Sequence, residues 1–185
     1  INDKLRLKVA AGRFTQNILS TSNERDVVNL FNGFLTGPES PVTGLDGNFV
    51  KNKLQQSYHG VAGFEYDLTK NIQLNIEGYY KDFPQLIVVN RNKVDKNETD
   101  YVVETGKAYG VDFTLKYEVP RIYIWATYSH GYVNRNDGEQ IYPTIFDRRH
   151  NANFLATYDL DKNGSFQVSV RWNLGSGFPF TKTKG

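Results

Sequence analysis

Residues 61–81 read Val-Ala-Gly-Phe-Glu-Tyr-Asp-Leu-Thr-Lys-Asn-Ile-Gln-Leu-Asn-Ile-Glu-Gly-Tyr-Tyr-Lys. Two alternating runs flank a polar break. Ala62, Phe64, Tyr66 and Leu68 share one parity, and Val61, Gly63, Glu65 and Asp67 the other. After the tight turn Thr69-Lys70-Asn71, Ile72, Leu74, Ile76, Gly78 and Tyr80 alternate with Gln73, Asn75, Glu77, Tyr79 and Lys81. Successive side chains of a strand point to opposite faces, so this period of two predicts an antiparallel hairpin, apolar on one face and polar on the other.

The same pattern recurs along the chain. Leu5, Leu7, Val9 and Ala11 oppose Lys4, Arg6 and Lys8, and a long polar stretch follows from about Thr15 to Ser57. Tyr109, Val111, Phe113, Leu115 and Tyr117 oppose Gly110, Asp112, Thr114 and Lys116, ending at Glu118-Val119-Pro120. In the run from Ile122 to Tyr128 both parities are apolar; we place Ile122, Ile124, Ala126 and Tyr128 outward and Trp125 and Thr127 inward. Ala152, Phe154, Ala156 and Tyr158 form a sixth run, and Phe166, Val168, Val170, Trp172 and Leu174 a seventh.

The connections decide between architectures. After the second, fourth and sixth runs they are a few residues long; after the first, third and fifth they are polar and roughly 13 to 40 residues long. A soluble sandwich has no reason to sort its loops by parity, whereas bacterial outer-membrane barrels alternate short periplasmic turns with long extracellular loops. Tyr66, Tyr117 and Tyr158 each close a descending run on its apolar parity, as an interfacial aromatic girdle requires. The expected fold is all-β: an antiparallel transmembrane β-barrel fragment of about seven strands, its signal peptide, plug and remaining strands lying outside residues 1–185.

Composition is compatible with this. Mean hydropathy is −0.54 and no apolar run is long enough for a membrane helix, but barrel strands average out as polar. Twenty-two basic against 20 acidic side chains give a net charge of +2, which argues against nucleic acid as a partner. The chain has no cysteine, which removes disulfides and thiol chemistry, and no methionine, which leads us to expect part of a longer protein.

Three stretches carry a family resemblance: Gly106-Lys107-Ala108-Tyr109-Gly110-Val111-Asp112 at the start of a strand; Tyr142-Pro143 with Phe146-Asp147-Arg148-Arg149-His150; and Trp172-Asn173-Leu174-Gly175-Ser176-Gly177-Phe178-Pro179-Phe180-Thr181 at a strand exit. In this order they resemble the distal half of TonB-dependent outer-membrane receptors of the Bacteroidetes type. The resemblance implies a 22-stranded barrel, a plug domain, and energised import of a siderophore, an oligosaccharide or a peptide in a Gram-negative outer membrane. It implies as partners the outer-membrane lipid and lipopolysaccharide, TonB acting through the plug, and a surface lipoprotein or other outer-membrane subunits. A structural or assembly subunit of a larger outer-membrane complex and a soluble β-sandwich binding module are the alternatives.

Candidate ligand contacts are Arg148 and Arg149, which could hold a carboxylate or phosphate at the lumen mouth, together with Trp125, Phe31 and Phe34. For the arginines we favour bracing of the wall. Val27, Val28, Leu30, Phe31, Phe34 and Leu35 form an apolar cluster in a polar loop, either a ligand- or lid-contacting surface built on a short helix or a satellite core. Asp159-x-Asp161-x-Asn163-Gly164 opens like a calcium loop, but its twelfth position is Val170, not the bidentate Glu such a loop requires. Asn97-Glu98-Thr99 and Asn163-Gly164-Ser165 match a glycosylation sequon and read as turn residues. His59, His130 and His150 lack ligand spacing. No catalytic residue, metal site or cofactor is expected.

Overall fold

A computed structural model describes residues 3–20, 34–36, 40–161 and 165–179. Its strands are β1 (Leu5–Gln16), β2 (Ile18–Ser20), β3 (Phe34–Thr36), β4 (Val42–Thr43), β5 (Gln55–Asp67), β6 (Ile72–Val89), β7 (Tyr101–Val119), β8 (Ile122–Asn136), β9 (Ile141–Pro143), β10 (His150–Asp159) and β11 (Gln167–Gly175). Seven long strands pair antiparallel in the order β1-β5-β6-β7-β8-β10-β11. Short β4 joins β7 in parallel and β9 joins β8, completing a nine-stranded sheet, while β2 and β3 form a separate pair. The sheet is open, with β1 and β11 as its edges; it does not close into a barrel.

The hairpin of residues 61–81 forms as the alternation predicts, with Tyr66 opposite Leu74, Phe64 opposite Ile76 and Ala62 opposite Gly78. Its turn is held by Thr69, whose Oγ1 accepts from the backbone N–H groups of Asn71 at 3.2 Å and Ile72 at 3.1 Å. The sorted connections are also present: residues 68–71, 120–121 and 160–166 at one end, and residues 17–54, 90–100 and 137–149 at the other.

Three expectations need correction. Alternation ends β6 at Lys81, yet the strand runs to Val89, because a bulge between Phe83 and Leu86 breaks the period without ending the pairing. Gly106 is not near the start of a strand: β7 begins at Tyr101, where apolar residues on both parities hide the pattern. Phe34 and Leu35 belong to strand β3, paired with Ser20 and Leu19, rather than to a helix. Phe31 and the rest of 27–31 lie outside the described residues, as does the side chain of Phe34.

The sheet is a single layer with almost no interior. Among the described residues the buried hydrophobic side chains are Val42, Ile87, Val103 and Ala108. Val42, Ile87 and Val103 form one cluster with Val50 and Tyr101, all at the end of the sheet that carries the long connections.

Candidate functional site

The register puts every apolar run on one face. Leu7, Phe64, Ile76, Phe113, Tyr128, Ala152 and Leu174 form a row across all seven long strands, and Leu5, Tyr66, Leu74, Leu115, Ala126, Phe154 and Trp172 the next. Ile122, Ile124, Ala126 and Tyr128 lie on this face, so the ambiguous run is oriented as its neighbours require. Among the described residues nothing covers it: Val9 is 83 % exposed, Leu7 63 % and Trp172 51 %.

Aromatic rings bound this band at both ends. Each descending strand carries a ring pair eight residues apart: Tyr58 and Tyr66 on β5, Tyr109 and Tyr117 on β7, His150 and Tyr158 on β10. At the long-loop end the rings touch. Tyr80 stacks on Tyr109 (centroids 6.5 Å) and Tyr109 on Tyr132 (5.3 Å), while His130 meets Tyr132 edge-on (5.1 Å) and stacks on His150 (4.7 Å). The strands thus bring together two histidines that sequence spacing kept apart. His59 is elsewhere, its ring 4.5 Å from that of Phe14 and 6.0 Å from that of Phe83.

The opposite face is polar and internally paired. Arg6 bridges to Glu65 and Asp67, and Lys8 to Glu65 (2.9 Å) and Glu77 (3.4 Å). Lys8 reaches Glu77 on β6 across β5 because the intervening position is Gly63, where any Cβ would strike the Ile76 carbonyl and Glu77. Farther along, the Tyr79 hydroxyl lies over Gly110 and Gly131, 2.7 and 2.5 Å from where their Cβ atoms would be.

Asp147-Arg148-Arg149-His150 occupies a gap on the free edge of β8. The β10 ladder ends at His130–His150 and the β9 ladder begins at Asn134–Pro143. Between them the Val133 N–H donates to Asp147 Oδ1 (3.0 Å), the Thr144 N–H donates to the Val133 carbonyl (3.1 Å), and the Gly131 N–H donates to the Arg149 carbonyl (3.1 Å). Asp147, 2 % exposed, stands in for a missing strand neighbour, and satisfying buried backbone groups is what such a position demands.

The two arginines part there. Arg148 lies where a side chain on Gly175 would be, on the polar face, with its guanidinium 4.4 Å from the Phe178 centroid. Arg149 stacks over Tyr132 at 4.8 Å, beside the apolar face, with its Nε donating to Asp147 at 3.3 Å. Trp125 is on the polar face opposite Lys116 and Leu155, near the short turns, about 20 Å along the strand from the arginines at ~3.4 Å per residue. Among the described predicted contacts, Arg148, Arg149 and Trp125 therefore do not converge on one point.

A cleft that sequence reasoning missed opens among the long connections. It has a volume of about 350 Å³ and is lined by Thr43, Asn90, Asn92, Glu104, Asp137 and Glu139, among others. Glu104 is buried at its floor and accepts a hydrogen bond from the Tyr142 hydroxyl (2.7 Å), with Arg135 3.7 Å away. Its walls come from three separate connections, so no local motif announces it. Comparison with protein-family models, with curated proteins and with solved structures finds no match to this chain.

Proposed function

We propose that this chain forms part of the wall and outer loops of an outer-membrane β-barrel that imports a ligand by TonB-dependent active transport. One observation carries the membrane reading. On a single face of β6 and β7, Ile87 and Val103 beyond the ring row pack under Val42 and are 4 % and 7 % exposed, with only Val89 at the strand end open. In contrast, the successive Val111, Phe113 and Leu115 below that row are left 36–40 % exposed. The exposed run of Val111, Phe113 and Leu115 lies between the two rows of rings, where a hydrocarbon slab would cover it.

The transport reading draws on the other face and on the loops. Paired charges and amides suit a lumen filled by water or a polar plug. The cleft above Glu104, with its amides and carboxylates, supplies directional hydrogen bonds for a polar ligand on the outer side. The family resemblance of Gly106–Asp112, Tyr142–His150 and Trp172–Thr181 adds the energy coupling.

The chain lacks cysteine, so single cysteines introduced into it report cleanly once any cysteine elsewhere in the full-length protein is replaced by serine. In outer membranes containing the full-length protein, Ile76→Cys and Phe113→Cys should resist a membrane-impermeant maleimide and react with a lipid-soluble one. Thr114→Cys, on the polar face, should react with the impermeant reagent. Free reaction of Phe113→Cys with the impermeant reagent overturns the membrane reading. For transport, labelled siderophores, oligosaccharides and peptides are offered to cells with and without the gene. Absence of any uptake that needs both the gene and an energised membrane overturns that half.

A further inference from the structure

The apolar face is hollowed just below the upper ring row. Ala11 on β1, Gly60 and Ala62 on β5, and Gly78 on β6 are neighbours in the register, and none carries more than a methyl group. A Cβ added at Gly60 would meet nothing within 4 Å, and one at Gly78 only two carbonyls at 3.8 and 3.9 Å, so the hollow is open space above the backbone. Tyr80 and Tyr109 wall its upper side, giving an open cleft of about 740 Å³ lined almost wholly by carbon. That is the size of a small-molecule cleft, roughly 300–1,000 Å³.

The upper end of this cleft is cationic. His130 and Tyr132 line it, and the Arg149 guanidinium lies over Tyr132, its side chain 51 % exposed. Asp147 engages only Nε of Arg149, which leaves the terminal nitrogens of the fork for another acceptor. His130 donates through Nδ1 to the Arg149 carbonyl at 3.0 Å, so its Nε2 points away from that bond. His150 is bonded through Nδ1 to the Tyr128 hydroxyl at 2.8 Å and stacks on His130. The guanidinium and the ring N–H groups beside it offer several donors to one anionic group.

An apolar slot ending on guanidinium and imidazole groups is the complement of one molecule class. We infer that the cleft takes an acyl chain of a phosphate-bearing lipid of the outer leaflet, with the phosphate held by Arg149, His130 and His150. This rests on the membrane reading, which places the slot in the acyl region and the ring row at the headgroups. A second protein would need a ridge to fill the hollow and an acidic group at its end; the lipid supplies both in one molecule.

The test titrates the full-length protein, in neutral maltoside detergent, with lipid A and with dephosphorylated lipid A, counting bound molecules by native mass spectrometry. The wild type should hold one lipid A more tightly than the dephosphorylated form. Arg149→Gln combined with His150→Gln removes a charged and a ring donor from the phosphate, so lipid A should weaken by at least about tenfold while the dephosphorylated lipid is unchanged. Gly78→Leu, which has room on the face and lies away from Asp147, should weaken both lipids. Folded variants that bind lipid A like the wild type overturn the proposal. So do displacement of lipid A by inorganic phosphate without any effect of Gly78→Leu, and a protein subunit found in the cleft instead. If Phe113→Cys is shielded in membranes but Gly78→Leu changes nothing, the lipid site alone fails.

Discussion

Asp147→Ala is the most informative single perturbation of the wall. The carboxylate is buried, accepts the Val133 N–H at 3.0 Å and meets Arg149 Nε at 3.3 Å. Alanine leaves the Val133 N–H without a partner where neither β9 nor β10 reaches it, which costs about 1–3 kcal/mol. The lost contact with Arg149 adds under about 1 kcal/mol, because that side chain is half exposed and screened. Together the loss should be roughly 1–4 kcal/mol. Asp147→Asn keeps Oδ1 as acceptor for the Val133 N–H but replaces the acceptor facing Arg149 Nε by an amide N–H. Because Arg149 is half exposed and can turn to water, the loss should be about 1 kcal/mol or less. Urea denaturation of the full-length protein in neutral detergent, followed by tryptophan fluorescence and by the mobility difference between folded and unfolded protein on a gel, measures both. If Asp147→Ala stays within 1 kcal/mol of the wild type, or Asp147→Asn falls as far as Asp147→Ala, then the carboxylate is not acting as a strand neighbour.

Four further outcomes follow from the same geometry. Gly110→Ala should destabilise by about 1–3 kcal/mol, since its Cβ would meet the His130 carbonyl at 2.5 Å and backbone must move. Gly131→Ala should lose less, because its nearest obstacle is the Tyr79 hydroxyl at the end of a side chain; equal losses in urea melts would contradict this. Thr144 Oγ1 is buried without a partner among the described residues, so Thr144→Val should be neutral or stabilising by up to about 1 kcal/mol, and a clear loss in the same melts would contradict this. The hydrogen bond and charge of Lys93 hold the Asp100 carboxyl below the ordinary carboxylate range, near 4. A lowered folded value means the contact supports the loop of residues 90–100 above pH 4 and is lost as pH falls through that value. Protection of the Asn90 amide, bonded to the Asp100 carbonyl at 2.7 Å, should therefore drop in acid relative to its intrinsic exchange, and Lys93→Ala should abolish that pH dependence. The shielding of Phe113→Cys and reactivity of Thr114→Cys complete the set.

The sheet was legible because both of its faces are simple. Between Leu5 and Ala11, and from Ala62 to Tyr80, one face is bare and the other is paired charge, so parity alone assigns every side chain. Legibility fails where that simplicity fails. At Phe83–Leu86 the bulge shifts parity, and at Tyr101–Glu104 one side packs on Val42 while the other holds Glu104 against Tyr142. The loop-end cleft and the pairing of His130 with His150 depend on neighbours distant in sequence, and no spacing rule reaches them. Asp147 is the middle case. The motif around it could be recognised, but its task required knowing that two ladders on β8 leave Val133 between them.

The ring pairs were also readable, and they constrain more than their count suggests. Each pair spans eight residues, about 27 Å along a strand. Across the sheet the pairs do not run level. Tyr66 is in the row of Leu115, two residues short of Tyr117; Tyr117 is in the row of Ala156, two residues short of Tyr158. The upper rings step identically, from Tyr58 to Tyr109 to His150, through the rows of Lys107 and His130. Both lines therefore shift one residue per strand. With ~3.4 Å per residue and ~4.8 Å between strands, level ring rows require the strands to lean by about 35°, the lower end of the tilt that closed membrane barrels adopt. That lean reduces 27 Å along the strand to about 22 Å of height, close to the ~25 Å apolar band of an outer-membrane wall. A flat soluble sheet has no reason to place its rings on two parallel lines with the slope of a tilted barrel. On the proposed membrane reading the edges β1 and β11 need neighbouring strands at the same lean, because unpaired ladder groups in hydrocarbon cost several kcal/mol each.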